Sequence, residues 1–314
     1  MLFRSKDPYK FADRLFHNSQ QSGRPSFSAE SAQNYFEKTY RDDHRSHVYI
    51  PLPEFERPAP PEYLFSIRCP TETELLKSTR RKRNGAAPGI NGLTYIPYKK
   101  CASIIKFVSI LGQKIWKSKD VPADWGAAYI TLLSKSENLS EVSEFRPIAL
   151  TCCAGKIFFS VVAEKLQGYF IKNNYISREI QKGFLAGTPG CIEHTFTLLE
   201  ALQDAKDSHR QIILAWLDLP NAYGSIWHNL IQFALSWYYV PLPVQELIFD
   251  YYEKLCAFIV TSNWLTVFLL LDIGLFQGCV LSTILFDCVF QLLLDLLNQN
   301  KDRKSTRLNS SHTV

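Results

Sequence analysis

The 314 residues are 46% hydrophobic, carry a formal net charge of +5 and include eight cysteines but one methionine. That excludes a polar disordered chain, and it supplies core for one large domain or two ordinary ones. Cys69, Cys101, Cys152, Cys153, Cys191, Cys256, Cys279 and Cys288 show no C-x-x-C spacing, and the N-terminal MLFRSKDPYKF is charged too early for a secretory segment. Reduced core thiols in an intracellular protein are expected, not a disulfide framework or a zinc site.

The net charge hides an asymmetry. Leu75–Lys119 holds eleven Lys or Arg and no acid, whereas Gln211–Asn300 holds seven acids and one base, Lys254. A polyanion-binding half joined to a half able to gather cations is the functional reading; a solvated basic face is the plain one.

In chain order, helix patterns are expected near Lys10–Phe16 and Ser28–Tyr40. RDDHRSH (41–47) holds an adjacent acid pair with His44 and His47, and reads as a solvated turn in preference to a metal site. PLPEFERPAPP (51–61) reads as an extended linker. Thr71–Thr79 is a short helix with Glu74 completing a capping box. The basic run Arg80–Arg83 then enters the Gly- and Pro-punctuated loop NGAAPGINGL, whose amides suit phosphates. A helix over Lys99–Lys117 follows. Trp125–Ser134 and Phe145–Leu150 form a hairpin whose turn is Ser136–Ser140. Lys156–Phe170 and Glu193–Lys206 are amphipathic helices, the second with Phe196, Leu198, Leu199 and Leu202 on its apolar side.

Gln211–Leu217 is an apolar, strand-like run that delivers Asp218 to a turn at Pro220 and Asn221, with Tyr223 five residues after the acid. A carboxylate ending a buried strand is costly unless paired or metal-bound, yet a turn Asp explains the position equally well. Helices near Asn229–Tyr239 and Pro243–Lys254 come next. The seventeen uncharged residues Leu255–Leu271 fall short of the roughly 20 that a spanning helix requires. They read as a β-hairpin, Phe258–Thr261 and Trp264–Leu271, turning at Thr261–Asn263. Gln277–Leu297 is the last helix. There is no internal repeat.

Four motifs stand in order: AAPGINGL (86–93), Lys135 with FRPIAL (145–150), LDLPNAYGSIWH (217–228) and GLFQGCVLSTILF (274–286). Together they resemble the reverse transcriptases of non-LTR retrotransposons, most closely the site-specific lineage that encodes a restriction-like endonuclease. The resemblance covers roughly Ser31–Leu297. Looser versions of the motifs occur in group II intron reverse transcriptases and telomerases.

The resemblance implies an α+β right-hand polymerase fold with fingers (75–205) and an incomplete palm (206–300, a split βαβ-type sheet) without a thumb. Residues 1–74 are then an N-terminal extension and linker. It implies RNA-templated DNA synthesis by two-metal nucleotidyl transfer, in the nucleus if functional. Two Mg²⁺ ions, template RNA, primer DNA and deoxynucleoside triphosphates are the implied cofactors and partners, with no membrane; the residues carry no signal for an oligomeric state. Asp218 falls on the first catalytic carboxylate, and the carbonyl of Leu219 on a metal ligand. Tyr223 falls on the ring that excludes a ribose 2′-OH. Lys135 and Arg146 fall on the finger residues that hold the triphosphate, while Gln277 and Gly278 match a pair that touches the nucleotide. Arg80, Arg81, Lys82, Arg83, Lys99 and Lys100 are the expected nucleic-acid contacts.

Pro220 and Trp227 depart from the family pattern, where a polar residue and a proline are expected. The larger departure is that no aromatic-Ala-Asp-Asp follows the Gln277 helix, and the segment from Lys301 onward (KDRKSTRLNSSHTV) resembles translated adapter sequence without helical or strand period. One carboxylate rarely holds two Mg²⁺ ions. Little or no polymerase activity and poor solubility are therefore expected, and a monodisperse, cooperatively melting preparation contradicts the latter. The rival reading is a non-catalytic nucleic-acid-binding remnant of a retroelement.

Overall fold

The computed structural model describes residues 25–43, 47–135, 140–185, 187–188 and 190–310, with side chains described up to residue 299. The Lys10–Phe16 helix, His44 and most of the Ser136–Ser140 turn lie outside the described residues.

Helix α1, Ala29–Tyr40, is opened by Ser28, whose side chain accepts from the Ser31 amide. The capping box predicted for Thr71 and Glu74 is present, and it starts α2 at Glu72–Arg81. The single helix expected over 99–117 is two, α3 (Tyr95–Lys100) and α4 (Ala102–Ser118), broken where Cys101 turns extended. Trp125 does not begin a strand. It sits in the short helix α5, Ala123–Gly126, and β1 runs from Ala127 to Ser134.

β1 pairs antiparallel with β2 (Phe145–Thr151), as the hairpin pattern predicts. Helix α6, Cys153–Lys172, was expected to be amphipathic. Instead it is buried on most of its circumference, with Ile157, Phe158, Val162, Leu166 and Phe170 fully enclosed. It is the central helix of the core.

α7 spans Ile192–Asp207, α8 His228–Trp237 and α9 Leu242–Glu253. The hairpin read in 255–271 forms between β3 (Cys256–Val260) and β4 (Leu269–Leu270), paired antiparallel. β3 also lies parallel to β1, so the mixed sheet has the order β2-β1-β3-β4. No helix among the described residues is long and apolar enough to cross a membrane. The α+β class follows from this mixture.

Three further expectations are corrected. The Gln211–Leu217 strand does not form, and Ile213, Trp216 and Leu217 are 80% or more exposed. Strand propensity is realised only against a neighbour, and β1 already has β2 and β3 on its two edges. The apolar side of α7 is likewise uncovered, with Phe196 and Leu199 exposed. Finally, α10 begins at Ser282, not Gln277, and continues to Ser310 through the segment read as lacking period. Gly278 has φ +111, a conformation no helix contains, which delays the start. Past Leu297 no Gly or Pro interrupts the helix before Ser310.

The proline-rich linker is a docked strap. Phe55 stacks on Trp237 at 4.8 Å, and the Arg57 guanidinium lies 3.7 Å from the Tyr239 ring centroid while donating to the carbonyls of Trp237 and Ser236 at the end of α8. The Gln299 side chain donates to the Glu56 carbonyl and accepts from its amide. The core therefore runs without interruption from Ala32 to Val289.

Lys254, the one base of the acidic half, is structural. Its Nζ donates to Asp120 Oδ1 (2.6 Å), Asp250 Oδ2 (2.8 Å) and the Val121 carbonyl (2.8 Å), tying α9 to the entrance of α5. Lys254→Met is expected to cost about 2 kcal/mol of unfolding free energy, since hydrogen bonds to charged groups contribute roughly 1.5–3 kcal/mol each and this one is partly exposed. Urea melts of the variant and parent provide the check; coincident midpoints contradict the tie.

Candidate functional site

The β1–β2 hairpin sets the positions of two expected phosphate contacts. Leu133 pairs with Arg146 and Ser134 with Phe145, after which the Lys135 amide donates to the Glu144 carbonyl at 2.8 Å. Both long cations are exposed at the hairpin end. The Lys135 ammonium donates to the Ser143 carbonyl at 2.6 Å.

The turn carrying Gln277 docks on the other edge of β2. The Ala149 amide donates to the Gln277 carbonyl at 2.7 Å, and Ile148 bridges Gln277 in parallel. A side chain at 278 would bring its Cβ within 2.7 Å of the Ala149 carbonyl oxygen. Only glycine allows this approach, and φ +111 demands it independently.

The same turn holds the Asn221–Trp227 segment. The Leu275 amide donates to the Tyr223 carbonyl (2.7 Å) and the Gly274 amide to the Ile226 carbonyl (2.8 Å), while the buried His228 ring contacts the Gly274 carbonyl at 2.9 Å. Tyr223 is thereby seated beside Gln277. Its ring stacks on Phe286 at 5.0 Å and 8°, and takes the edge of Phe184 at 6.4 Å and 87°. Burial pushes its hydroxyl up to about 12, with the charge of Asp287 adding to the shift.

The outer wall is α1. The Tyr40 carbonyl accepts from the amides of Asp272 and Ile273, and Tyr35, Phe36, Thr39 and Tyr40 face inward. Between that wall, the hairpin and the Tyr223 turn lies a cavity of about 190 Å³, lined also by Lys135, Arg146, Asn221 and Gln277. Four residues named separately for nucleotide contact thus share one cavity.

Other expected residues are elsewhere. Asp218 and Leu219 are exposed on the unpaired 210–219 segment and do not line the cavity. Among the described residues no three His, Cys, Asp or Glu come together as a cation site. Asp218 alone does not fit the two-Mg²⁺ donor set.

The six expected nucleic-acid contacts divide in two. Arg81 pairs with Glu164 at 3.0 Å, Lys82 donates to Ser160 at 2.8 Å, and Lys99 donates to the Lys82 carbonyl and to Asn84. These three brace α2 against its neighbours, and burial lowers the Lys82 pKa. Arg80, Arg83 and Lys100 are exposed, as are Lys106, Lys114 and Lys117 along α4.

Sequence reasoning passed over the α1 wall, and it also passed over Asp287. That residue is 2% exposed in α10, where ILFDCVF presents a lone acid among apolar neighbours. Such an acid inside an apolar helix is a signal that could have been used. Gln181 Nε2 donates to its Oδ1 at 3.0 Å, while Oδ2 is buried without a hydrogen-bond partner.

No protein-family model matches the chain. It is similar to individual proteins, all of them polymerases or Pol polyproteins of retrotransposable elements. The chain is 26% identical over 227 residues (72% of its length) to the Pol polyprotein of the type-2 retrotransposable element R2DM of Drosophila melanogaster. It is 24% identical over 223 residues (70%) to that of a type-1 element R2 of Nasonia vitripennis. It is 25% identical over 176 residues (55%) to the probable RNA-directed DNA polymerase from transposon X-element of Drosophila melanogaster. The chain spans about a fifth of the length of these curated relatives, since the matches cover 19–20% of each.

Burial raises the Asp287 carboxyl from its ordinary 3.8 to about 7, partly opposed by the Gln181 hydrogen bond. The native state then holds a proton that the unfolded chain has lost between these values, so stability falls as pH rises from about 4 to 7. Asp287→Asn is expected to gain on the parent at pH 8 relative to pH 5 in paired urea melts. An equal difference at the two pH values contradicts this assignment.

Proposed function

We propose that this chain is the nucleotide-binding core of an RNA-directed DNA polymerase, and that the 190 Å³ cavity takes the phosphates and sugar of an incoming deoxynucleoside triphosphate. The observation that supports this most is the convergence of Lys135, Arg146, Tyr223 and Gln277, from three separated stretches of sequence, on one cavity.

The chemistry of the lining suits that ligand. Arg146 offers a planar fork for two phosphate oxygens and Lys135 a mobile point charge. Tyr223, held flat against Phe286, is a rigid surface for a sugar that lacks a 2′-hydroxyl. Gln277 has its carbonyl fixed on β2, which leaves its side-chain amide to contact the nucleotide. The exposed cations Arg80, Arg83 and Lys100 provide a surface for template or primer phosphates.

In this reading residues 75–205 act as fingers and 206–300 as part of a palm, with template RNA, primer DNA and a nuclear setting. Two Mg²⁺ ions would activate the primer hydroxyl and neutralise the triphosphate. Asp218 is exposed and lies outside the cavity lining, and the donor set seen in the described residues does not hold both ions. We therefore derive nucleotide binding from this chain, and no transfer step.

The expected result is saturable binding of a deoxynucleoside triphosphate and of inorganic tripolyphosphate, measured by isothermal titration. The double variant K135A/R146A is expected to weaken both by about tenfold or more, the loss of one or two charge-assisted contacts. Unchanged affinity in that variant overturns the reading. Primer extension on an RNA template by the 314-residue chain alone is expected to yield no product that depends on Asp218.

A further inference from the structure

The aromatic slot around Tyr223 is assembled from two elements joined by a partly buried side-chain hydrogen bond. Phe286, on α10, provides the stacked face at 5.0 Å, and Phe290 stacks behind it at 5.9 Å. Phe184 provides the edge, from the connection between α6 and α7. The described part of that connection has no helix or strand between Lys172 and Ile192, and Phe184 itself has φ +57 and is 65% exposed. Such a residue stays in place only if its surroundings hold it.

Lys182 on Glu193 and His194 at the Glu179 carbonyl hold the stretch to α7, and two further side chains bear directly on the slot. Gln167 of α6 donates to the Phe184 carbonyl at 3.2 Å. Gln181, three residues before Phe184, donates to Asp287, the residue immediately after Phe286. The second contact is the one that links the two sides of the slot. Burying a carboxyl here is expensive, and a leucine would pack among the apolar neighbours at lower cost. Its second oxygen finds no partner at all. The acid therefore costs stability and returns a fixed position for the Phe184 segment.

We infer that Gln181 and Asp287 form a positioning strut, which holds Phe184 and Phe286 at a fixed spacing around Tyr223 and so sets discrimination between deoxyribo- and ribonucleotides. Neither residue touches the nucleotide; both act through the Tyr223 ring. The inference rests on the reading of the cavity as a nucleotide site. With the strut cut, Phe184 swings away, the Tyr223 ring gains freedom to tilt, and a 2′-hydroxyl is tolerated. Charge is not required: an amide at 287 still accepts from Gln181, so Asp287→Asn preserves the strut whereas Asp287→Leu removes it without emptying the volume.

The test uses the full chain at pH 6 and has two arms. In the first, limited chymotrypsin digestion follows cleavage after Phe184. Asp287→Leu is expected to accelerate it about tenfold, the population change of one partly buried hydrogen bond, with Asp287→Asn near the parent. In the second, isothermal titration compares dATP with ATP. The parent is expected to prefer dATP, Asp287→Leu to lose most of that preference while still binding tripolyphosphate, and Asp287→Asn to keep it. If the parent binds neither nucleotide, the cavity reading fails and the discrimination role falls with it. If the parent discriminates and Asp287→Leu does so equally, the strut inference alone is overturned. Unchanged cleavage after Phe184 overturns it as well, whatever the nucleotide result. Circular dichroism melts confirm that both variants are folded.

Discussion

The contact on which the site depends is the close approach of the Gln277–Gly278 turn to strand β2. One hydrogen bond, from the Ala149 amide to the Gln277 carbonyl, sets this turn of the acidic half against the β1–β2 hairpin, which β3 also joins through β1. Only glycine at 278 permits it, because a Cβ would meet the Ala149 carbonyl oxygen at 2.7 Å. Everything around the cavity is hung from that junction. The Leu275 and Gly274 amides hold Tyr223 and Ile226, the Asp272 and Ile273 amides hold Tyr40 of α1, and α10 starts four residues beyond Gly278. Residues 135, 146, 223 and 277 are distant in sequence. They meet because one short segment bonds to each of their neighbours in turn.

The second constraint is the buried aromatic and polar framework that fixes this segment from behind. Tyr238 donates to Asp295 of α10 at 2.7 Å, and Tyr169 of α6 approaches the carbonyls of Tyr238 and Tyr239. The strap at 55–59 closes over the same corner through Phe55, Arg57 and Gln299. A polar group in such a setting is stabilising only when satisfied, and here the Tyr169 hydroxyl reaches backbone carbonyls and the Tyr238 hydroxyl a carboxylate. Asp287 keeps one unmet oxygen, as Trp237 Nε1 and Gln291 Oε1 also go unmet, and burying its carboxyl costs stability.

Much of the local architecture was legible in the residues. The Thr71 capping box, the β1–β2 hairpin, the turn at Thr261–Asn263 and helices α8 and α9 are short-range patterns, and local rules describe them. What was not legible depended on partners distant in sequence. Gln211–Leu217 has the composition of a strand, but pairing is a property of two segments, and none of the sheet's edges reaches it. α6 looked amphipathic because its few polar residues were read as a face, whereas the fold surrounds it. For the site, the motif positions named four residues that line one cavity. They did not predict the α1 wall, since Tyr35 and Thr39 belong to no motif, nor the internal use of Arg81, Lys82 and Lys99 as braces. Basic side chains in sequence do not declare whether they face a ligand or a neighbouring helix.

The central claim is that the cavity between α1, the β1–β2 hairpin and the Tyr223 turn is where a nucleotide binds. Photolabelling with 8-azido-dATP, followed by peptide mapping, tests it directly. The account predicts label on the peptides carrying Tyr35–Tyr40, Arg146 or Tyr223, suppressed by excess tripolyphosphate. Label confined to the open groove lined by Lys82, Ser160 and Thr283, with none at the cavity, would contradict it.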